Sequence, residues 1–350
     1  MKIKLTKQEK NWILYDVGNS AFTLLAATIL PIYFNYIAGK QGLSDVQYLA
    51  YWGYAVSIAT LLTALAGPVF GTVADTKGYK KPVFTIVLGI GAIASVALGF
   101  AKYWLAFLVV FVIAKVGYSV TLVFYDSMLV DVTLEDRMDE VSSQGYAWGY
   151  IGSCVPFVIC LLVVLNAGKI GITMEIAMMV SFVIITLWWV IMTLPLLKTY
   201  HQKYYVEKKQ HAFSESFKRI GITLKNVKKE KKVFLFLLAF FFYIDGVYTI
   251  IDMATAYGSA LGLSSTGLLL ALLLTQIVAF PFAIIFGRLA KKYSAEKLIT
   301  VCIVAYLGVA IFAIFLHYQW QFWVLAVWVG MFQGGVQALS RSYFTKIIPA

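Results

Sequence analysis

Long apolar runs separated by short polar loops make up most of the chain. Ten of them reach the length of about 20 residues that a helix needs to cross the hydrocarbon core of a bilayer. They lie near residues 12–37, 48–74, 83–101, 104–127, 141–165, 174–196, 233–258, 264–287, 298–316 and 320–343. We number these runs spans 1 to 10, and their lengths predict an all-α, polytopic membrane protein. The first run is too long for a cleavable signal peptide, so we expect it to be retained as a helix.

Polar residues inside the runs concentrate in spans 1, 4, 7 and 10, where they recur at helical spacing. Positions i, i+3, i+4 and i+7 lie on one face of a helix, so each stripe is expected to line a cavity or a helix contact. Charged groups inside a membrane cost about 2.5 to 3.5 kcal/mol each and are by default candidates for function. The substrate or coupling-ion candidates are Asp16, Asn19, Lys115, Tyr118, Asp126, Asp245, Tyr248, Asp252, Gln333, Gln337 and Arg341.

These stripes have two interpretations. Hydroxyl and amide groups in them also serve as hydrogen bonds between helices, and for Ser, Thr and Tyr that interpretation is equally good. Charges at mid-span favour a functional site, and we expect Lys115 and Asp245 to face one central cavity from opposite halves of the molecule. Asp16 is the weaker candidate because it lies close to the end of span 1, where a carboxylate reaches water easily.

The charged residues are unequally distributed between the two sides of the membrane. Only 13% of the residues are charged, against about 25% in soluble domains, and 61% are hydrophobic. If the N-terminus is inside, 25 of the Lys and Arg residues lie on that side and three, Lys40, Lys102 and Lys169, on the other. This bias predicts a cytosolic N-terminus. It also accounts for the net charge of +12, so we expect no nucleic-acid partner.

One long connection, residues 197–232, separates six spans from four and carries 11 basic residues. We therefore expect three regions: 1–196, the linker 197–232, and 233–350. Within the linker, apolar residues at helical spacing predict an interfacial helix on the anionic inner leaflet, with a solvated basic tether as the alternative. Those apolar residues are Phe213, Phe217, Ile220, Leu224 and Val227.

An internal repeat is visible at an offset of 216 residues, because GTVADTKGYKK at Gly71–Lys81 is matched by GRLAKKYSAEK at Gly287–Lys297. At nearly the same offset, Asp126 with Ser127 matches Arg341 with Ser342. Two homologous halves of the same orientation are therefore expected. A second half of six spans would need two more than the four present, so we expect a truncated second half; a degenerate repeat is the alternative.

The spacing G-x-x-x-D-x-x-G-x-[KR]-[KR] resembles the signature loop of the major facilitator superfamily. Its positions here are Gly71, Asp75, Gly78, Lys80 and Lys81. The segments YDVGNSAF, IDGVYTIIDMA and GGVQALSRSYF, beginning at residues 15, 244 and 334, resemble the branch that includes fungal vacuolar amino-acid effluxers and many bacterial permeases. The resemblance implies a bundle of six N-terminal and six C-terminal helices, of which this sequence holds four. It also implies a central cavity lined by spans 1, 4, 7 and 10, and a loop whose Asp and basic residues latch the halves on the inner side.

Together these features predict a secondary active transporter that moves a small solute by alternating access. An amino acid is the leading substrate, because Lys115 could meet a carboxylate and Asp245 or Asp252 an ammonium group; a sugar or drug permease is the alternative, and a channel or receptor is less favoured. The sequence has no HExxH or G-x-S-x-G motif and no His within a span, so we do not expect an enzyme. With no Walker loop, the energy is expected to come from protons. We expect no cofactor and no metal, and a monomer in a bacterial plasma membrane or, alternatively, a vacuolar membrane.

Overall fold

The computed structural model describes residues 4–207 and 230–348, and ten helical segments within them are long and apolar enough to cross a membrane. They are Lys7–Lys40, Asp45–Asp75, Lys80–Phe100, Trp104–Val132, Glu135–Leu165, Met174–Thr199, Lys231–Ala260, Ser265–Leu289, Ala295–Ala313 and Gln319–Ile347. These are spans 1 to 10, at the positions predicted from hydropathy. The predicted all-α fold class is confirmed, since no β-strand occurs among the described residues.

Four spans contain more than one helix. Span 1 joins Lys7–Ala27 to Ile29–Lys40, span 3 adds the 3-10 turn Leu98–Phe100 to Lys80–Ala97, span 4 adds Leu129–Val132 to Trp104–Ser127, and span 5 places Glu135–Arg137 before Met138–Leu165. We call the end of the bundle at which spans 1, 5 and 7 begin the basic end, because most of the described Lys and Arg residues lie there; the opposite end is the far end.

A capping box fixes the start of span 1. The Thr6 side chain accepts from the Glu9 backbone N–H at 3.2 Å, and the Glu9 carboxylate accepts from the Thr6 N–H at 2.7 Å. The same carboxylate binds Arg137 and Thr133, each at 2.7 Å, so it is buried without being unpaired. Glu9 therefore ties the start of span 1 to Thr133, between spans 4 and 5, and to Arg137 at the start of span 5.

The break in span 1 follows from Pro31. Proline has no backbone N–H, so the carbonyl of Ala27, four residues earlier, loses its helical partner. The hydroxyl of Thr255 in span 7 donates to this carbonyl at 2.6 Å. A freed backbone acceptor at membrane depth must find a partner within the protein, and here that partner lies on the other side of the predicted division of the chain.

Two large apolar clusters form the core, with a small third one between spans 5 and 8 that consists of Ala147, Tyr150, Ala279 and Ala283. The first comes almost wholly from spans 1 to 6 and contains Trp12, Trp52 and Trp189, all fully buried. The second comes from spans 7 to 10, with Cys302 and Val336 fully buried at its centre. This distribution agrees with a division between residues 196 and 233, which stays a prediction, as do the repeat and the two further spans.

The first residues of the linker lie against the loop between spans 2 and 3. The N–H of Val206 donates to the carbonyl of Asp75 at 2.7 Å, and the N–H of Lys77 donates to the carbonyl of Val206 at 3.0 Å. We call residues 201–207 the strap. The predicted interfacial helix, from Phe213 to Val227, lies outside the described residues.

Candidate functional site

Three of the four polar spans meet at the guanidinium of Arg341, near the basic end. This side chain of span 10 is 6% exposed and forms ion pairs with Asp16 of span 1 at 3.4 Å and Asp126 of span 4 at 3.2 Å. It also donates to the Ser142 hydroxyl of span 5 at 2.8 Å and to the Ser142 carbonyl at 2.9 Å. Arg341 thus links the C-terminal spans to three N-terminal spans. We call these residues the gate cluster.

Aromatic rings surround the same guanidinium. Its central carbon lies 4.6 Å from the ring centre of Trp12, 5.4 Å from that of Tyr125 and 4.3 Å from that of Tyr146. Trp12 and Tyr125 stack on each other, with ring centres 4.3 Å apart. Because a guanidinium is planar and weakly hydrated, it is well suited to stacking in such a site.

The buried carboxylate of Asp16 is held on several sides. The hydroxyl of Tyr125 donates to it at 2.8 Å, and the amide of Asn19 lies at 3.5 Å. Asp126 differs, because its side chain is 45% exposed. The gate cluster therefore contains one enclosed carboxylate and one that is partly exposed.

Small residues on span 5 allow this close approach. A Cβ added to Gly145 would lie 2.5 Å from the Asp16 carboxylate and 3.2 Å from Arg341 Nη2. At Gly149, one turn further on, it would lie 2.6 Å from the hydroxyl of Ser20. The absence of a side chain at these two positions therefore permits the close packing of span 5 against span 1.

Further contacts close the basic end. Lys346 binds Asp139 and Lys291 binds Glu140, both at 2.6 Å. Lys346 lies on span 10 and Lys291 follows span 8, and both bind carboxylates of span 5. The basic end is thus closed by an ordered set of contacts between N-terminal and C-terminal spans.

The second link between charged residues lies further along span 4. Lys115 Nζ binds Asp252 Oδ1 of span 7 at 2.8 Å, with 13% of the Lys115 side chain and 11% of the Asp252 side chain exposed. Sequence analysis expected Lys115 and Asp245 to face one cavity from opposite halves; the structure pairs Lys115 with Asp252, and the expectation for Asp245 stays a prediction. Asp245 is exposed, and the partner is the carboxylate seven residues later on the same helical face.

Polar groups between these two links bind one another. The hydroxyls of Tyr118 and Thr23 are 2.5 Å apart, and the hydroxyl of Tyr150 donates to the Gln337 side chain at 2.6 Å. Tyr248 is 42% exposed, whereas Gln333 is buried. The candidate stripes of spans 1, 4 and 10 are thus brought together, while span 7 contributes chiefly Asp252.

The loop between spans 2 and 3 does not use Lys80 to join the halves, contrary to what the resemblance implied. Lys80 is buried and binds Asp131, at the end of span 4, at 3.1 Å. Asp131 also accepts from the hydroxyl of Tyr200 and from the backbone N–H groups of Lys203 and Tyr204, at 2.9 and 3.0 Å. Because the hydrogen-bond partners of Lys80 among the described residues, Asp131 and the Ser127 carbonyl, both belong to span 4, this ion pair anchors the strap within the N-terminal spans.

The other residues of that loop have simpler positions. Gly78 adopts a φ of 76°, a conformation that favours glycine, and its N–H donates to Gln202 of the strap at 3.2 Å. Gly71 has open space where a Cβ would be added, Lys81 is exposed, and Asp75 meets the strap through its backbone. The loop motif therefore forms a turn, and the first residues of the linker pack against that turn.

Sequence reasoning missed several residues of the site. Tyr125, Tyr146, Tyr150 and Ser142 line the contacts between the halves, yet each is a common residue type in an apolar run. Asp131 carried a usable signal, because it is an acidic residue within the apolar sequence MLVDV. It was missed because it lies beyond residue 127, where span 4 was predicted to end, in an acidic stretch that continues to Glu140.

Two pockets at the surface lie elsewhere. One, of about 460 Å³, is lined only by apolar side chains of spans 8 and 10, namely Leu274, Trp323, Val324, Val327, Trp328 and Met331. Another lies beside the start of span 2 and the end of span 7. Neither contains a candidate site residue, so the charged links remain the candidate site.

Comparison with known proteins points in one direction. The chain matches the family model described as vacuole effluxer Atg22 like over residues 6–133 and 131–350. It is 44% identical over 354 residues to the uncharacterized MFS-type transporter YxiO of Bacillus subtilis, covering 100% of this chain and 83% of that protein. Autophagy-related protein 22-1 of Neosartorya fischeri is 23% identical over 236 residues, which is 60% of this chain and 38% of that protein.

Among solved structures, a D-xylose–proton symporter superposes with a TM-score of 0.61 at 12% identity, covering 97% of this chain and 87% of the symporter. At that identity the likeness concerns the fold alone.

Proposed function

We propose that this chain, which belongs to the vacuole effluxer Atg22-like family and to the major facilitator superfamily, moves a small solute by presenting one central site to each side of the membrane in turn. It is a multi-pass membrane transporter. The proposal concerns the solute, the coupling ion and the orientation. Its central site lies between the gate cluster and the Lys115–Asp252 pair.

The observation that carries this proposal is the Lys115–Asp252 ion pair. It joins the N-terminal and C-terminal spans through one hydrogen bond of 2.8 Å, and both side chains are nearly buried. Among the described residues neither side chain makes another hydrogen bond. A zwitterionic solute can replace each partner, its carboxylate binding Lys115 and its ammonium group binding Asp252. We therefore propose an amino acid as the substrate.

Protons are the proposed coupling ion. Asp16 and Asp126 share the one guanidinium of Arg341, so two carboxylates face one cation at the gate cluster. Like charges held close together favour protonation of one of them. Asp126 is the proposed proton acceptor because its side chain is 45% exposed and can exchange with water.

The proposed orientation places the N-terminus and the basic end in the cytosol of a bacterium, with the basic linker near an anionic inner leaflet. This rests on the distribution of Lys and Arg residues and on the likeness to the Bacillus subtilis protein. We propose a monomer, since both links between charged residues are completed within one chain.

Transport in proteoliposomes tests the central site. Lys115→Gln and Asp252→Asn are each expected to reduce uptake of a radiolabelled amino acid at least tenfold, because each removes one partner of the zwitterion, with folded yield largely retained. Lys169→Gln, on an exposed loop, is the matched control and should transport normally. A solute screen should include neutral sugars. Normal transport by both variants, or strong uptake of sugars alone, would contradict the proposal.

Coupling is tested separately. An imposed pH gradient should accelerate transport by the native protein, and Asp126→Asn should transport at a rate independent of that gradient, because the proposed proton acceptor is gone. The measurement is initial uptake with and without a protonophore. Equal dependence on the gradient in native and variant proteins would exclude Asp126 as the coupling residue.

A further inference from the structure

Among the described residues, the groups that bind the Arg341 guanidinium all belong to the N-terminal spans. Its carboxylates come from spans 1 and 4, its aromatic rings from spans 1, 4 and 5, and its hydroxyl and carbonyl from Ser142 of span 5. Only Arg341 itself comes from the C-terminal spans. The N-terminal spans therefore hold a complete guanidinium receptor, and the chain fills it with a guanidinium of its own.

We propose that this receptor is a second solute site, which binds free alkyl-guanidinium compounds when span 10 moves away. The proposal rests on the alternating access proposed above, since the two halves must separate at the basic end for Arg341 to leave. It does not depend on the solute that the Lys115–Asp252 pair selects. Arg341, as part of the chain, then competes with the free guanidinium compound for the site.

The groups of the receptor stay together when Arg341 leaves. Asp16 keeps its hydrogen bond from Tyr125 at 2.8 Å, and Trp12 remains stacked on Tyr125, because all of these contacts lie within the N-terminal spans. The Trp12 indole N–H also donates to the Tyr125 carbonyl at 3.1 Å. The receptor is therefore preorganised without its guanidinium.

The charge of the vacated receptor selects a cation. Asp16 is nearly buried, and a buried carboxylate without a partner is strongly disfavoured. Planar donors that stack between rings match the geometry that Arg341 shows, whereas an ammonium group has neither the fork of donors nor the flat face. The preferred class is thus guanidinium over ammonium, and a neutral isostere should bind weakly.

A disulfide lock tests whether the site opens. A Cβ added to Gly287 of span 8 would lie 2.6 Å from the Cβ of Ser143 in span 5, so Ser143→Cys with Gly287→Cys should crosslink the basic end in its closed form after small shifts. Binding of methylguanidinium to the purified full chain is measured by calorimetry, with methylammonium at equal ionic strength as the matched cation. L-arginine and L-citrulline form a second matched pair.

We expect the reduced double variant to bind methylguanidinium at least tenfold more tightly than methylammonium, and oxidation to reduce that binding at least tenfold. Binding of equal strength in the oxidised and reduced forms, or equal binding of the two cations, would overturn the proposal. Loss of transport in the Lys115 or Asp252 variants has no bearing on this outcome, so failure of the two proposals can be told apart.

Chemical rescue gives an independent test. Arg341→Ala empties the receptor permanently, and methylguanidinium should raise the thermal unfolding midpoint of this variant in a saturable way, more than methylammonium does. The native protein, with Arg341 in place, should show the smaller shift. A variant that is stabilised equally by both cations would refute a guanidinium receptor. If Arg341→Ala does not fold, the calorimetric comparison still decides the question.

Discussion

The gate cluster and the Lys115–Asp252 pair both join charged residues of the N-terminal spans to charged residues of the C-terminal spans, and they are built differently. Along span 4, Asp126 of the gate cluster and Lys115 are eleven residues apart, or about 16 Å at 1.5 Å per residue. The gate guanidinium meets two carboxylates, a hydroxyl, a carbonyl and three rings. The Lys115–Asp252 pair has one hydrogen bond.

The two links therefore have different roles. A cation with many fixed partners is costly to remove, so the gate cluster stabilises the closed basic end. Two side chains joined by one hydrogen bond can each form further hydrogen bonds. A solute that carries both charges can therefore bind each of them in place of the other. Of the two links between charged residues, the more sparsely bonded one is therefore the better candidate for the central site.

The largest effect is expected at Arg341. Arg341→Ala leaves Asp16 buried without its cation, and breaking one partner of a buried ion pair costs about 3 to 5 kcal/mol. Arg341→Lys keeps the charge but loses the planar fork and the stacking, so an intermediate loss of stability is expected. Thermal unfolding in detergent measures both, with Lys115→Ala as the comparison. A larger loss for Lys115→Ala than for Arg341→Ala would reverse the assignment of the two links.

Packing around the two links should differ as well. Gly145→Ala places a Cβ within 2.5 Å of the Asp16 carboxylate, whereas Gly53→Ala meets only the end of Met253, at 3.8 Å, in the span that carries Asp252. Overpacking costs about 1 to 3 kcal/mol, so Gly145→Ala should lower the unfolding midpoint and Gly53→Ala should leave it nearly unchanged. Equal effects would show that the gate cluster is no more tightly packed than the other link.

A smaller effect is expected at the backbone contact on the far-end side of the Lys115–Asp252 pair. Thr255→Val leaves the Ala27 carbonyl without its donor. An unsatisfied buried acceptor lowers the free energy of unfolding by about 1 to 3 kcal/mol. We expect a loss near the lower end of this range, because one hydroxyl is lost. Adding Pro31→Ala supplies a backbone N–H four residues on. The double variant should therefore regain part of the stability, which a double-mutant cycle measures. Strictly additive losses would disprove the link between Pro31 and Thr255.

Much of this molecule could be predicted from the order of residues alone. The ten spans follow from apolar length, and the polar spans from helical period, because both are properties of a single helix in a bilayer. Arg341 and Asp126 could be matched by the internal repeat, although nothing in the sequence indicated that these matched positions, with opposite charges, bind each other at 3.2 Å.

The choice of partners was decided by the tertiary structure. Asp245 and Asp252 lie seven residues apart on one face of span 7, so helical periodicity cannot distinguish them; the relative depth of spans 4 and 7 places Asp252 against Lys115. Likewise, Lys80 fits a loop motif in the sequence, but only the fold brings Asp131 and the strap to it. The sequence determines which residues lie on each face of a helix. Ion pairs between helices depend in addition on how far one helix is shifted and rotated against another. The packing of all the spans together sets this shift and rotation.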